Sequence, residues 1–125
     1  GIGLVAGDGG AIIWAQRIGL TRAKEFLLTG ELLSAQRAAD IGLINHCLPS
    51  EALDGAVDAF CDKLLAGAQI AIRYTKALTN MELRRIADLV LDQGLAWESE
   101  SVRSADHREA IAALREKRVP LFRGE

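Results

Sequence analysis

Only one segment of this 125-residue chain reads clearly as a β-strand, and one strand cannot make a sheet. The segment is Leu43-Ile44-Asn45-His46-Cys47-Leu48, short, apolar and bounded by Pro49. A weaker candidate sits at Leu4-Val5. Either the strand pairs with something outside these residues, or the run is not a strand. In both cases the rest of the fold must be built from helices.

The helical signal is strong after Pro49. Leu53, Val57, Phe60 and Leu64 are spaced by four, three and four residues, which puts them on one helix face, and Gly67 ends that segment. Ser50 stands where a cap would stand. Residues 70–78 predict another helix, and Met81 to about Glu98 predicts the longest. Ser104 or Asp106 caps a last helix to about Arg118, where Val119-Pro120 stops it. Before Pro49 the helices are short. Residues 11–17 stop near Gly19. Thr21 is a cap for a helix through Leu28, closed by Gly30. Ser34 caps residues 35–40, with Gly42 just beyond. The change of character at Pro49 is the one candidate boundary inside the chain.

Charge narrows the function classes. Fifteen Lys and Arg against seventeen Asp and Glu give a net charge of −2, whereas a general nucleic-acid binder or polybasic membrane binder is basic. No apolar run approaches the roughly 20 residues that span a bilayer, and no leader pattern is visible. Cys47 and Cys61 make neither a disulfide framework nor a zinc site, and a cytoplasmic location is expected. Both cysteines are expected to be small core residues.

Five of the twelve glycines fall in the first ten residues. Gly1-Ile2-Gly3-Leu4-Val5-Ala6 matches a dinucleotide fingerprint in letters only. Nothing precedes it as a strand, and Gly7, Gly9 and Gly10 prevent a helix from opening within it. Gly7-Asp8-Gly9-Gly10 before Ala11-Ile12-Ile13-Trp14 says more. A glycine loop feeding a helix leaves backbone N–H groups that favour negative charge or a polarised oxygen. Asp8 either caps the first turn or faces a substrate as acid, base or polar anchor.

In order along the chain, Gly3-Leu4-Val5-Ala6-Gly7-Asp8-Gly9-Gly10, Ile18-Gly19, Arg22-Ala23-Lys24-Glu25, Leu28-Thr29-Gly30, Ser34-Ala35 and Gly42-Leu43-Ile44-Asn45 resemble the enoyl-CoA hydratase/isomerase (crotonase) family. Glu116-Lys117-Arg118-Val119-Pro120-Leu121-Phe122-Arg123-Gly124 resembles that family's C-terminal signature. The resemblance covers essentially the whole chain but only the second half of a family member. It implies an α/β crotonase-like (ClpP/crotonase) fold. Residues 1–49 would end the acyl-CoA-binding core, and residues 50–125 would form a helical, trimerisation-type region.

The resemblance also implies chemistry. Family members bind acyl-CoA thioesters, hold the thioester oxygen with two backbone N–H groups, and in the hydratases use two glutamates to position water and move protons. By the same resemblance those donors and glutamates lie upstream of Gly1. Gly7 matches a loop glycine whose N–H lies beside the catalytic water. Leu114 matches an apolar contact to CoA or an adjoining subunit, and Lys117 a basic residue near the CoA phosphates. Simple hydratases tend to have proline at the place of Ala6 and a small residue at the place of Asp8. The implied protein is a homo-oligomer, a trimer or dimer of trimers, with CoA carried by the substrate and no metal or other cofactor. The expected reaction is hydration of a trans-2-enoyl-CoA. The alternative is a non-catalytic oligomerisation or interaction module.

Other residues carry weaker signals. His46 is expected to be a hydrogen-bonded structural residue on the strand, and His107 a cap or surface residue. Trp14, Phe26, Phe60, Trp97 and Phe122 are expected to be core or interface anchors.

Overall fold

The computed structural model describes residues 1–125, which form seven α-helices and no strand. They are α1 (Gly10–Ile18), α2 (Leu20–Thr29), α3 (Ala35–Asp40), α4 (Ser50–Leu65), α5 (Gln69–Thr79), α6 (Met81–Arg103) and α7 (Ala105–Glu116). The chain divides into two compact units. One comprises Gly1–Leu32 with Ile86–Glu125, and the other Leu33–Arg85. Pro49 falls inside the second.

In the first unit, α1 and α2 are separated by Gly19 alone, which takes a positive φ of 81° and whose N–H still bonds to Ala15 O. The helices therefore fold back on each other, and α1 packs on α2. Trp14 and Phe26 meet there with ring centroids 6.1 Å apart in a tilted pair. The buried hydrophobic residues of this unit are Ile12 and Ile18 on α1, Ala23 on α2, and Ala110 and Ala113 on α7. Three of these five are alanines, which allow close approach of backbone rather than filling volume. Thr21 does not cap α2; Gly19 precedes that helix and no side chain caps it. Ser104 does cap α7, accepting from His107 N at 3.0 Å. The long helix α6 runs to Arg103, beyond the expected end near Glu98.

In the second unit, Ser34 caps α3 by accepting from Arg37 N at 3.1 Å. The expected strand at residues 43–48 is corrected: the segment is irregular. Its first two N–H groups are already in use. Leu43 N and Ile44 N both donate to Ala38 O, at 2.9 and 3.3 Å, closing α3 over Gly42 at φ 80°. The motif that ends the helix competes with the ladder for the same donors. Ser50 is the first residue of α4 rather than its cap. The seam on α4 forms as its spacing predicts, but Leu53, Val57, Phe60 and Leu64 remain 51%, 50%, 60% and 41% exposed. Neither α4 nor α5 has a fully buried residue, although the two touch. For the same reason Cys61 is exposed on α4 and is not a core residue.

Candidate functional site

The glycine-rich N-terminal segment is fixed by three successive contacts with the last two helices of its unit. At Gly3, whose φ is 64°, an added Cβ would lie 3.2 Å from the His107 backbone. The neighbouring Ile2 O is 2.8 Å from His107 Nδ1. At Val5, the backbone N–H donates to Ser101 Oγ at 3.2 Å, and that hydroxyl donates to Glu98 O at 2.7 Å. At Gly7, an added Cβ would lie 2.1 Å from Gly94 O and 3.0 Å from Glu98 Cβ. A Cβ on Gly94 would in turn lie 2.7 Å from Gly7 O. Two glycines thus allow a loop and a helix to touch backbone to backbone, which no other residue pair permits.

This contact places the turn that opens α1. Gly7 is buried, and the turn runs through Asp8 and Gly9. Gly9, at φ 120°, precedes the helix, and no side chain caps it. Asp8 is exposed and does not serve as the cap, which corrects one of its two expected roles. The physical reason is that the entry is closed by backbone alone. Ile12 N and Ile13 N donate to Gly9 O, and Ala11 N donates to Ala6 O.

Glu98 was not singled out from the sequence. It is half-buried, and its Oε2 is sealed from solvent with no hydrogen-bond partner. Its signal was present but faint. Gly94, Glu98 and Ser101 recur at helical spacing on α6, and a glycine in the interior of a long helix marks close backbone approach.

The second cluster lies along α7. Here the C-terminal tail doubles back along the helix and two carboxylates hold it. Asp106 accepts from Arg123 N at 2.7 Å and Gly124 N at 2.8 Å. Glu109 accepts two bonds from the Arg118 guanidinium, at 2.5 and 2.9 Å, and one from Leu121 N at 2.9 Å. Arg118 also donates to Glu116 at 2.6 Å and to Val119 O at 3.3 Å. The Arg118 fork, the Leu121 N–H and the charge of Arg123 together pull the Glu109 carboxyl from 4.5 down to about 2. Glu109 and Glu116 hold the Arg118 guanidinium above its ordinary range. Asp106, Glu109, Arg118, Leu121 and Arg123, with Ala105 and Glu125, line a cleft of about 480 Å³.

Leu114, on the last turn of α7, and Lys117, just beyond that helix, are exposed. Lys117 is the one non-glycine residue with positive φ, at 54°. Its N–H donates to Leu114 O and that of Arg118 to Ala113 O. No hydrogen bond or ion pair joins this pair of residues to Gly7 and Asp8. His46 is exposed, and with Asn45, Leu48, Leu53, Val57 and Phe60 it lines a groove of about 660 Å³. No group of three or more His, Cys, Asp or Glu is placed to hold a metal ion, and no helix is long and apolar enough to cross a membrane.

The family model described as enoyl-CoA hydratase/isomerase matches residues 1–125. The chain belongs to the enoyl-CoA hydratase/isomerase family. It is 32% identical over 124 residues to the enoyl-CoA isomerase/hydratase fer4 of Mycosarcoma maydis, covering 99% of this chain and 45% of that protein. It is 33% identical over 131 residues to the human mitochondrial enoyl-CoA hydratase domain-containing protein 2, covering 98% of this chain and 44% of the relative. Among solved structures, an enoyl-CoA hydratase from Mycobacterium avium subsp. paratuberculosis superposes with a TM-score of 0.88 at 31% identity, covering 98% of this chain and 50% of that one. A carnitinyl-CoA hydratase from Mycobacterium avium gives 0.88 at 25% identity, covering 98% and 48%. These are crotonase-fold proteins, so the fold expected from the sequence holds, with this chain as its helical C-terminal part. The enoyl-CoA hydratase/isomerase chain described here spans somewhat less than half the length of these curated relatives.

Proposed function

We propose that the protein acts on acyl-CoA thioesters, and that its reaction is the addition of water to a trans-2-enoyl-CoA. The observation that carries this reading is the Gly7–Gly94 contact, which fixes the peptide at residue 7 in a buried turn. A fixed backbone N–H is the kind of group that orders water or a developing oxyanion. The family resemblance assigns Gly7 that place beside the catalytic water. In the mechanism so inferred, backbone donors upstream of Gly1 take the thioester oxygen. Upstream carboxylates position water at the β-carbon and deliver a proton to the α-carbon. Asp8, exposed beside Gly7, is a polar anchor or proton carrier at the acyl end. Leu114 packs against the CoA moiety, and Lys117 meets its phosphates.

The test is turnover of 2-enoyl-CoA, followed as loss of the conjugated thioester absorbance, in the protein as its source makes it. Turnover is expected, and Gly7→Ala should lower it by on the order of 10²-fold, the usual cost of moving a positioned group by about 1 Å. Absence of both turnover and CoA binding would defeat the reading.

One observation favours a second reading. The apolar seam of α4 is half-exposed along its length. A chain with such a face suits an oligomerisation module, and copies meeting there would make the trimer expected for the family. As the sole function, it requires association without turnover.

A further inference from the structure

Three helices of this chain end on a residue in the left-handed conformation. Gly30 closes α2 at φ 67°, Gly42 lies beyond α3 at φ 80°, and Lys117 closes α7 at φ 54°. The endings of α3 and α7 are the same motif. Gly42 N donates to Ala39 O and Leu43 N to Ala38 O, at 3.0 and 2.9 Å. Lys117 N donates to Leu114 O and Arg118 N to Ala113 O, at 3.3 and 3.0 Å. Glycine is the inexpensive residue at such a position, and a side chain there is a steric burden. The backbone alone therefore does not account for lysine at 117.

The residues that follow account for how the burden is held. Arg118 is clamped on three sides, by the Glu109 carboxylate, by Glu116 and by Val119 O. Glu109 simultaneously accepts from Leu121 N. The chain on the C-terminal side of Lys117 is thus tied to α7 two turns back. We infer that Glu109, acting through Arg118, is a positioning residue that fixes the direction of the Lys117 side chain for a phosphate of the CoA moiety. This inference rests on the acyl-CoA reading proposed above and extends it to residues that the reading does not use.

The sign of the effect separates this role from simple electrostatics. Glu109 is anionic. Neutralising it near a phosphate would tighten anion binding by charge alone. A positioning role predicts the opposite, weaker binding. It also confines the loss to ligands that carry the phosphates.

The experiment measures the dissociation constants of CoA and of pantetheine, which lacks the nucleotide phosphates, for the protein as its source makes it. Lys117→Ala should weaken CoA about tenfold, the usual scale for a charged hydrogen bond, and leave pantetheine unchanged. Glu109→Gln should reproduce most of that loss for CoA and none for pantetheine. The double variant should bind CoA as the Lys117→Ala protein does, because the two residues act as one unit. Should Glu109→Gln fail to fold, Arg118→Lys serves in its place. It keeps the charge but loses the fork, and should also weaken CoA selectively. If Lys117→Ala weakens CoA while both Glu109→Gln and Arg118→Lys leave it unchanged or tighter, the positioning role is overturned and the acyl-CoA reading stands. If Lys117→Ala has no effect on CoA, the phosphate contact and the positioning role fall together.

Discussion

Gly94 offers a test in which two physical effects have opposite signs. It lies in the interior of the 23-residue helix α6, where alanine is intrinsically better than glycine by about 1 kcal/mol. Propensity alone therefore predicts that Gly94→Ala stabilises the protein. The structure predicts the reverse. The new Cβ would lie 2.7 Å from Gly7 O, against the 3.4 Å or more of an ordinary contact, and the atom it meets is backbone. The turn at Gly7 is held by its own helix-entry bonds and by the rung at Val5, so it yields only with distortion. Overpacking of this kind costs about 1–3 kcal/mol, enough to outweigh the propensity gain and leave a net loss of about 1 kcal/mol. Gly55, within α4, provides the control, since a Cβ there meets nothing within 4 Å. Gly55→Ala should stabilise by about 1 kcal/mol. Urea titration of both variants, read as midpoint shifts at unchanged slope, makes the comparison. If Gly94→Ala stabilises as much as Gly55→Ala, the backbone contact is not the constraint described here.

Three further outcomes are expected. Lys117→Gly should raise stability by about 1 kcal/mol, by relieving the left-handed strain, while weakening CoA binding; a thermal scan showing no stabilisation would remove the strain argument. The folded carboxyl of Glu109 lies at about 2 against an ordinary 4.5, so its contribution is present above pH 4.5 and is lost as the pH falls from there through about 2. An NMR titration of Glu109 should show that low midpoint, with the Leu121 N–H becoming exchangeable over the same range, and a midpoint near 4.5 would contradict the clamp. Asp8→Asn should reduce turnover of 2-enoyl-CoA with no change in the urea midpoint, because Asp8 is exposed and caps nothing; an unchanged rate ends its candidacy as a catalytic group.

The parts of the fold legible in the sequence are those with local causes. Ser34 caps the helix it was expected to cap, Ser104 is the one of the two candidates that caps α7, and the four-three-four spacing on α4 yields one helix face. Residues 43–48 misled because an apolar run bounded by proline has no information about partners. Its leading N–H groups were claimed by the end of α3, a competition that depends on Gly42 and not on the run itself. Asp8 looked like a cap because capping residues are recognised by type, while here Gly9 lets the backbone close the entry unaided. Glu98 and Glu109 were missed for a different reason. Their surroundings depend on contacts with segments that no periodicity links to them, Gly7 in one case and the tail after Lys117 in the other. The C-terminal signature is legible only as a string of residue types; in the structure two of its residues, Arg118 and Leu121, meet one acid on the helix before it.

The half-exposed seam of α4 has a thermal consequence. Contacts made by excluding water from Leu53, Val57, Phe60 and Leu64 are driven mainly by solvent entropy near room temperature, and they weaken on cooling. A surface that came to cover that seam would be held less firmly near freezing than at higher temperature. An assembly built on α4 would therefore be cold-labile, coming apart on chilling rather than on gentle warming.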